Sequence, residues 1–417
     1  MNMKNFQQEI NEISGWLSKI GADPSGGMTR RLYTQEWVDA QRALQQTFEA
    51  AGLTTSYDAV GNLSGRLQGS KYPDQVILSG SHIDTVVNGG NLDGQFGIEA
   101  AYMAIKYLKE TYGPPLRTLE VISLAEEEGS RFPYVFWGSK NIVGSARPED
   151  VRNICDAKGV NFVDAMHGAG FDFRPEHQPL RKDIAAFVEL HIEQGKVLEA
   201  EGKTIGIVTS IVGQRRYDIK LKGEANHAGT TPMGYRKDTV YAFSRICCES
   251  IAKAKAEGDP LVLTFGKVEP KPNTVNVVPG FTHFTLDCRH TDKATLLRFT
   301  QEIEADIQRI CGEMGIEVEI DLWMDEVPIP MNKQLIACVN HLCETQKINY
   351  RMIHSGAGHD AQIFAPHVPT VMMFVPSIAG ISHNPAEKTH LADLNEGVKI
   401  LAHTLYQFAY TEQGACL

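Results

Sequence analysis

The sequence predicts an α/β protein in two parts: a main domain on an open sheet, residues 1–209 and 328–417, and a ferredoxin-like satellite, residues 210–327, inserted into it. Three observations predict it. Apolar runs of strand length alternate with segments of helical spacing. Four such runs deliver histidines or carboxylates at their C-terminal ends, where open α/β sheets place their ligands. Between about 210 and 327 the rhythm changes to β-α-β-β-α-β.

Taken in order, Met1 to Ile20 is polar, with Ile10, Ile13, Trp16, Leu17 and Ile20 at helical spacing, and lacks the apolar stretch and cleavage site of a signal peptide. Val76 to Ser79 is a short apolar run that ends just before His82, and Gly94 to Lys109 reads as a helix through Ala100, Ala104 and Leu108. Leu119 to Ala125 is a buried strand delivering Glu126, Glu127 and Glu128. Ala185 to Leu190 delivers His191, and Val371 to Val375 precedes the loop with His383. In the satellite, Tyr217 to Lys222 alternates like a half-exposed strand. Asp238 to Ala256 reads as a helix, Leu261 to Thr264 and Phe281 to Leu286 as strands, Lys293 to Met314 as a helix and Ile316 to Leu322 as a strand. Glycines and prolines near 206–213 and 327–330 are the expected hinges.

Composition bounds the function. The 417 residues suffice for two or three domains, and 42% hydrophobic with 22% charged content is ordinary for a soluble protein. A formal net charge of -11 argues against nucleic acid as a partner but leaves a small substrate open. The apolar segment Val368 to Ile381 is broken by two prolines and a glycine and is too short to span a bilayer. Eight scattered cysteines without a C-x-x-C read as reduced thiols of a cytoplasmic protein.

The chemistry starts at Ser81 to Gly94, where His82 and Asp93 flank a glycine-containing turn and can converge on one point. Mixed imidazole and carboxylate donors suit zinc, manganese or cobalt, and two such ions about 3.5 Å apart can share one carboxylate. Asp93 is expected to bridge, with His82 and His191 on one ion and Glu128 and His383 on the other. Singly, a strand-end histidine is more often a structural hydrogen bonder, and a glutamate run more often opens a helix. Convergence at four strand ends favours the joint reading. Glu127, beside the ligand Glu128, is then the general base, and Asp84 orients an imidazole or that base.

The runs SHIDTVVNGGNLDGQFG, AEEEGSRF, ELHIEQG, GQRRY, NHAGTTPMG, NTVNVVPG, DCRHTD, GAGHDAQ and GISHNPAE resemble those of the dinuclear metal-dependent amidases related to aminoacylases and zinc carboxypeptidases. The resemblance spans nearly the whole chain. It lies within the branch of N-carbamoyl-L-amino acid hydrolases and allantoate amidohydrolases, nearer the latter. It implies an aminopeptidase/carboxypeptidase-like catalytic domain holding two divalent ions per subunit (manganese or zinc, with cobalt possible). The implied ligands are His82, Asp93, Glu128, His191 and His383, and Glu127 is the implied acid/base. It also implies a homodimer joined through the satellite, and hydrolysis of a ureido C–N bond of allantoate to ureidoglycine, ammonia and carbon dioxide. The alternative within the branch is an N-carbamoyl-L-amino acid hydrolase or β-ureidopropionase. The satellite is expected to bind substrate. Arg216 and Arg289 can each grip a carboxylate, Gln214 and Asn276 offer amides, and His227 can donate to an oxyanion. By analogy His227 and Asn276 reach the metals of the other subunit.

Gly356-Ala357-Gly358-His359-Asp360-Ala361 fits a dinucleotide fingerprint, so an NAD-dependent dehydrogenase is a remote alternative. The acidic ribose partner about 20 residues later is missing. His359 and Asp360 are instead expected to shape the pocket, outside the metal shell. No G-x-S-x-G elbow is present, which disfavours a serine hydrolase.

Overall fold

Four apolar segments, Arg117–Leu124, Tyr72–His82, Ile184–Ile192 and Thr370–Val375, lie side by side in that order as parallel strands. Every residue of the first and last is buried, as expected of strands covered on both faces. Helices Gln95–Tyr112 and Leu391–Ala409 pack on each other and across these strands. Antiparallel neighbours extend the sheet on both sides. Leu63–Leu67 and Thr54–Tyr57 follow beyond Arg117–Leu124, and Ile205–Ile211 lies beside Thr370–Val375. The computed structural model describes residues 3–176 and 179–412. The chain divides into two compact units, one holding residues up to Thr209 and from Met331 onward, the other Ser210–Pro330.

The turn before helix Gln95–Tyr112 depends on glycine. Gly94 has φ 64°, and a Cβ there would sit 2.4 Å from Cε1 of His82. A Cβ on Gly97 would meet the Leu190 carbonyl oxygen at 2.5 Å. The start of the helix is therefore pressed against the ends of two central strands, and Asp93 arrives beside their histidines.

A fully buried arginine braces the same turn. Arg30 donates to the carbonyls of Leu17, Ile20 and Ile83 and to Oε1 of Gln95, with Glu99 as its counter-charge. It thus ties the chain at Leu17, Ile20 and Ile83 to the first residue of the helix. Burial pushes the Glu99 carboxyl up to about 7, against hydrogen bonds from Ser14 and Gln95 and the pull of Arg30.

The inserted unit has an antiparallel sheet in the order Val268–Lys271, Phe281–His290, Gly213–Lys222, Glu317–Glu326, with Val262–Thr264 also on Phe281–His290. Helices Thr239–Glu257 and Lys293–Glu313 are each capped by an aspartate, Asp238 and Asp292. Their apolar faces meet the sheet around Ile246, Phe284, Ile303 and Ile307. In chain order the elements of this sheet and its two helices run β-α-β-β-β-α-β; Val262–Thr264 and Val268–Lys271 pair with successive stretches of Phe281–His290 and together fill one edge position of a ferredoxin-like β-α-β-β-α-β arrangement.

Some local expectations shift. The helix expected from Gly94 begins at Gln95, because the φ of Gly94 places it outside as the cap. The strand from Phe281 runs on to His290, its alternation carried by Asp287 and Arg289. Strand Val268–Lys271 was not anticipated, since Glu269 and Pro270 interrupt any apolar alternation. Among the described residues no helix is long and apolar enough to cross a membrane.

Candidate metal centre

The parallel strands set the geometry. His82 ends one strand and His191 is the penultimate residue of the next, and their rings lie 5.9 Å apart between centroids, roughly stacked. The Asp93 carboxylate faces both, with Oδ1 3.7 Å from His82 Nε2 and 3.2 Å from His191 Nε2. Its other oxygen, Oδ2, lies 3.0 Å from His383 Nε2, and that nitrogen lies 3.5 Å from Oε1 of Glu128. The side chains thus form two groups sharing Asp93: His82, Asp93 and His191, and Asp93, Glu128 and His383. In each group the donor atoms lie within 4.8 Å of one another.

The donor set fits divalent cations. His82 Nδ1 donates to the Asp84 carbonyl at 3.0 Å and His191 Nδ1 to the Ile192 carbonyl at 2.9 Å, which directs both Nε2 lone pairs at Asp93. The Gly94 amide also lies 3.0 Å from His191 Nε2, a contact that a cation on that nitrogen would displace. Glu128 Oε1 is buried without a hydrogen-bond partner among the described residues, an orphaned acceptor that a cation would satisfy.

Without a cation the centre holds protons instead. Burial disfavours charge on His82, but Glu127, Asp84 and Asp93 outweigh it and hold the ring well above its ordinary pKa. The hydrogen bond to Asp93 lifts His383 to about 9. Burial, then Asp93, pushes Glu128 to about 7. A cation must displace these protons. Metal uptake is therefore expected to release protons, most where both groups are protonated, below about 7, and to stop drawing on them above about 9. Affinity falls as pH falls. Calorimetry in buffers of different ionisation enthalpy checks the proton count.

Glu127 stands beside the cluster, with Oε2 3.9 Å from His82 Nε2. Burial, then Glu128, Asp360 and Asp93, raises its carboxyl well above the usual range against the opposing pull of His82. A carboxyl so raised keeps its proton to higher pH than an ordinary glutamate does. The Glu126–Glu128 run forms a turn rather than a helix start, with Glu126 at φ 58°. Asp84 shapes that turn: its buried carboxylate accepts from the amides of Glu127 and Glu128 at about 3.1 Å.

Residues not singled out from the sequence also gather here. Gln194, at φ 57°, donates from Nε2 to Asp93 Oδ2 at 2.9 Å. Glu189 accepts from Ser81 and from the Ala361 amide, joining three segments beneath the histidines. Glu387 accepts from the amides of Leu92 and Asp93. Each acts through contacts across the fold, which no local motif discloses. His359 is buried, its ring 4.6 Å from that of His191 and its Nε2 3.0 Å from Ser355 Oγ, so it packs behind the donors.

In the inserted unit, the register sets Arg289 opposite Gln214 and Asp287 opposite Arg216. Both arginines donate to the Asp287 carboxylate, at 2.9 Å from Arg216 Nε and 3.0 Å from Arg289 Nε. His227 and Asn276 lie elsewhere in that unit, His227 on a short ladder pairing Asn226–His227 with Val277–Val278 and Asn276 in the turn just before Val277, and both are exposed. His227 Nδ1 accepts from the amides of Gly229 and Thr230 at 3.0 and 3.2 Å, so the neutral ring carries its proton on Nε2.

A family profile described as "Peptidase family M20/M25/M40" matches residues 78–407. The chain belongs to this family. Within peptidase family M20/M25/M40, it is 66% identical over 406 residues to the allantoate amidohydrolase of Escherichia coli, covering 97% of this chain and 99% of that one. It is 47% identical to the allantoate amidohydrolase of Bacillus subtilis, over 97% and 98% of the two chains. Among solved structures, an amidase of the hydantoinase/carbamoylase family from Burkholderia multivorans superposes with a TM-score of 0.92 at 31% identity, covering 97% of this chain and 98% of that one.

Proposed function

We propose that the chain is an allantoate amidohydrolase, hydrolysing a ureido C–N bond of allantoate to ureidoglycine, ammonia and carbon dioxide. The observation that carries this reading is the 66% identity to a relative of that name along nearly all of both chains. It rests equally on a site whose donors suit metal-assisted hydrolysis. An N-carbamoyl-L-amino acid hydrolase or β-ureidopropionase would use the same donors, but the allantoate-named relatives are the closer match to this chain than the carbamoylase-type structure at 31%.

In this reading two divalent cations, zinc or manganese with cobalt also suited, are held by His82, Asp93, Glu128, His191 and His383. When bound they polarise the ureido carbonyl and acidify the attacking water. Glu127 takes the water's proton on its carboxylate and returns it to the departing nitrogen. Asp84 keeps Glu127 and Glu128 in place through their amides. Arg216 and Arg289 hold the substrate carboxylate, and the amides of Gln214 and Asn276 hold a ureido arm.

His227 donates its Nε2 proton to the developing oxyanion, the tautomer its two backbone donors impose. It acts on the site of a partner subunit in a homodimer joined through the satellite. Exposed apolar side chains of that unit, Met233, Tyr235, Tyr241 and Val275, support such an interface. Cytoplasmic placement rests on thiols such as Cys288, Cys311 and Cys343, buried outside any disulfide. His227→Ala is expected to lower kcat by about 100- to 1,000-fold, with a smaller change in KM, in steady-state assays.

The substrate test is ammonia release from allantoate against N-carbamoyl amino acids, after stripping and restoring zinc, manganese or cobalt. Turnover of allantoate restored by metal supports the reading. Turnover confined to N-carbamoyl amino acids sinks it.

A further inference from the structure

Glu387 is a buried carboxylate, 5% exposed, that the mechanism above does not use. Its Oε1 accepts from the amides of Leu92 at 2.9 Å and Asp93 at 3.1 Å. Its Oε2 accepts from the Ser382 hydroxyl at 2.7 Å, and that hydroxyl lies 3.2 Å from Asp93 Oδ2. The Glu387 amide donates to the Asn384 carbonyl at 3.0 Å, closing the turn that follows His383. One side chain therefore fastens the main chain at Asp93 to the loop that presents His383.

The fit leaves no slack. A Cβ on Gly90 would lie 2.0 Å from Glu387 Oε1 and 2.1 Å from its Cδ, so only glycine admits the carboxylate there. Both carboxylate oxygens are fastened by donors, Oε1 by two amides and Oε2 by the Ser382 hydroxyl. His82 and His191 need no such clasp, since parallel strands carry them. His383 sits in a loop at φ 54°, half exposed, and has no strand to fix it.

We propose that Glu387 is a positioning residue that selectively sets the cation site formed by Asp93, Glu128 and His383, by clamping the Asp93 turn to the His383 loop. The inference rests on those three residues being ligands. Carboxylates that orient ligands in this way are worth about 10- to 100-fold in metal affinity.

The experiment titrates Zn²⁺ into the metal-stripped full-length protein and four variants, Glu387→Ala, Glu387→Gln, Gly90→Ala and His383→Ala. Calorimetry gives the affinities and elemental analysis the stoichiometry. The parent is expected to bind two ions. In Glu387→Ala and in Gly90→Ala, the first should bind as in the parent and the second about 10- to 100-fold more weakly. Gly90→Ala displaces the carboxylate without removing it, so agreement between the two variants excludes a trivial effect of either substitution. Glu387→Gln should recover much of the loss, because its amide oxygen still accepts from Leu92 and Asp93 and its Nε2 can donate to Ser382. His383→Ala should lose the second ion. If it does while Glu387→Ala and Gly90→Ala bind both ions as tightly as the parent, or weaken both equally, the clasp is overturned and the ligand assignment stands. If His383→Ala binds as the parent does, the ligand assignment itself has failed, and the clasp with it.

Discussion

Glu127→Gln is expected to keep both cations and lose turnover by about a hundred- to ten-thousand-fold. The asymmetry follows from how the turn is built. Asp84 holds the backbone amides of Glu127 and Glu128, not their side chains, so an isosteric change at Glu127 leaves Glu128 where it is. What disappears is the carboxylate proposed to take the water's proton, one whose buried, acid-crowded setting raises its pKa well above the usual range. Elemental analysis beside steady-state kinetics separates the two effects. Parental activity in this variant would end the assignment of Glu127 as base, and loss of metal would make it a ligand instead.

Asp93→Asn carries the second large effect, and here metal and activity fall together. Asp93 is the one residue common to both donor groups, with Oδ1 towards His82 and His191 and Oδ2 towards His383. Despite burial, its contacts with His191 and His383 hold its carboxyl well below the usual range, so it stays charged among the imidazoles. An amide of the same shape supplies one neutral oxygen and no charge. Affinity for both ions should drop by more than the roughly 100-fold that outer partners cost, and turnover should vanish at any practical metal concentration. His191→Ala, by contrast, removes a donor from one group alone. Equal metal content in Asp93→Asn and the parent would show that Asp93 does not bridge.

Much of the centre was legible because strand ends advertise their contents. His82, Glu127, Glu128 and His191 each follow an apolar run that has no use for them in a core, and the structure gathers them as the parallel sheet dictates. Asp93 was legible through the glycine next to it, although the collision of a Cβ with the His82 ring requires coordinates. Glu387 and Gln194 were not, for a physical reason. Glu387 acts on backbone amides 294 and 295 residues away, and Gln194 on a carboxylate 101 residues away, so nothing local marks either. Sheet order, too, depends on which runs pair, and strand Val268–Lys271 exists because Phe281–His290 offers it an edge rather than through any pattern of its own. In the inserted unit, residue types suggested Arg216 and Arg289. Only the register shows them meeting at Asp287, and only the hydrogen bonds from Gly229 and Thr230 fix the His227 tautomer.

The most direct measurement is an anomalous-difference map, at a zinc or manganese absorption edge, from crystals of the metal-loaded protein. Two peaks about 3.5–4 Å apart, one beside His82 and His191 and one beside Glu128 and His383 with Asp93 between them, are the predicted result. A single peak away from Asp93, or none after loading with excess metal, would contradict the account.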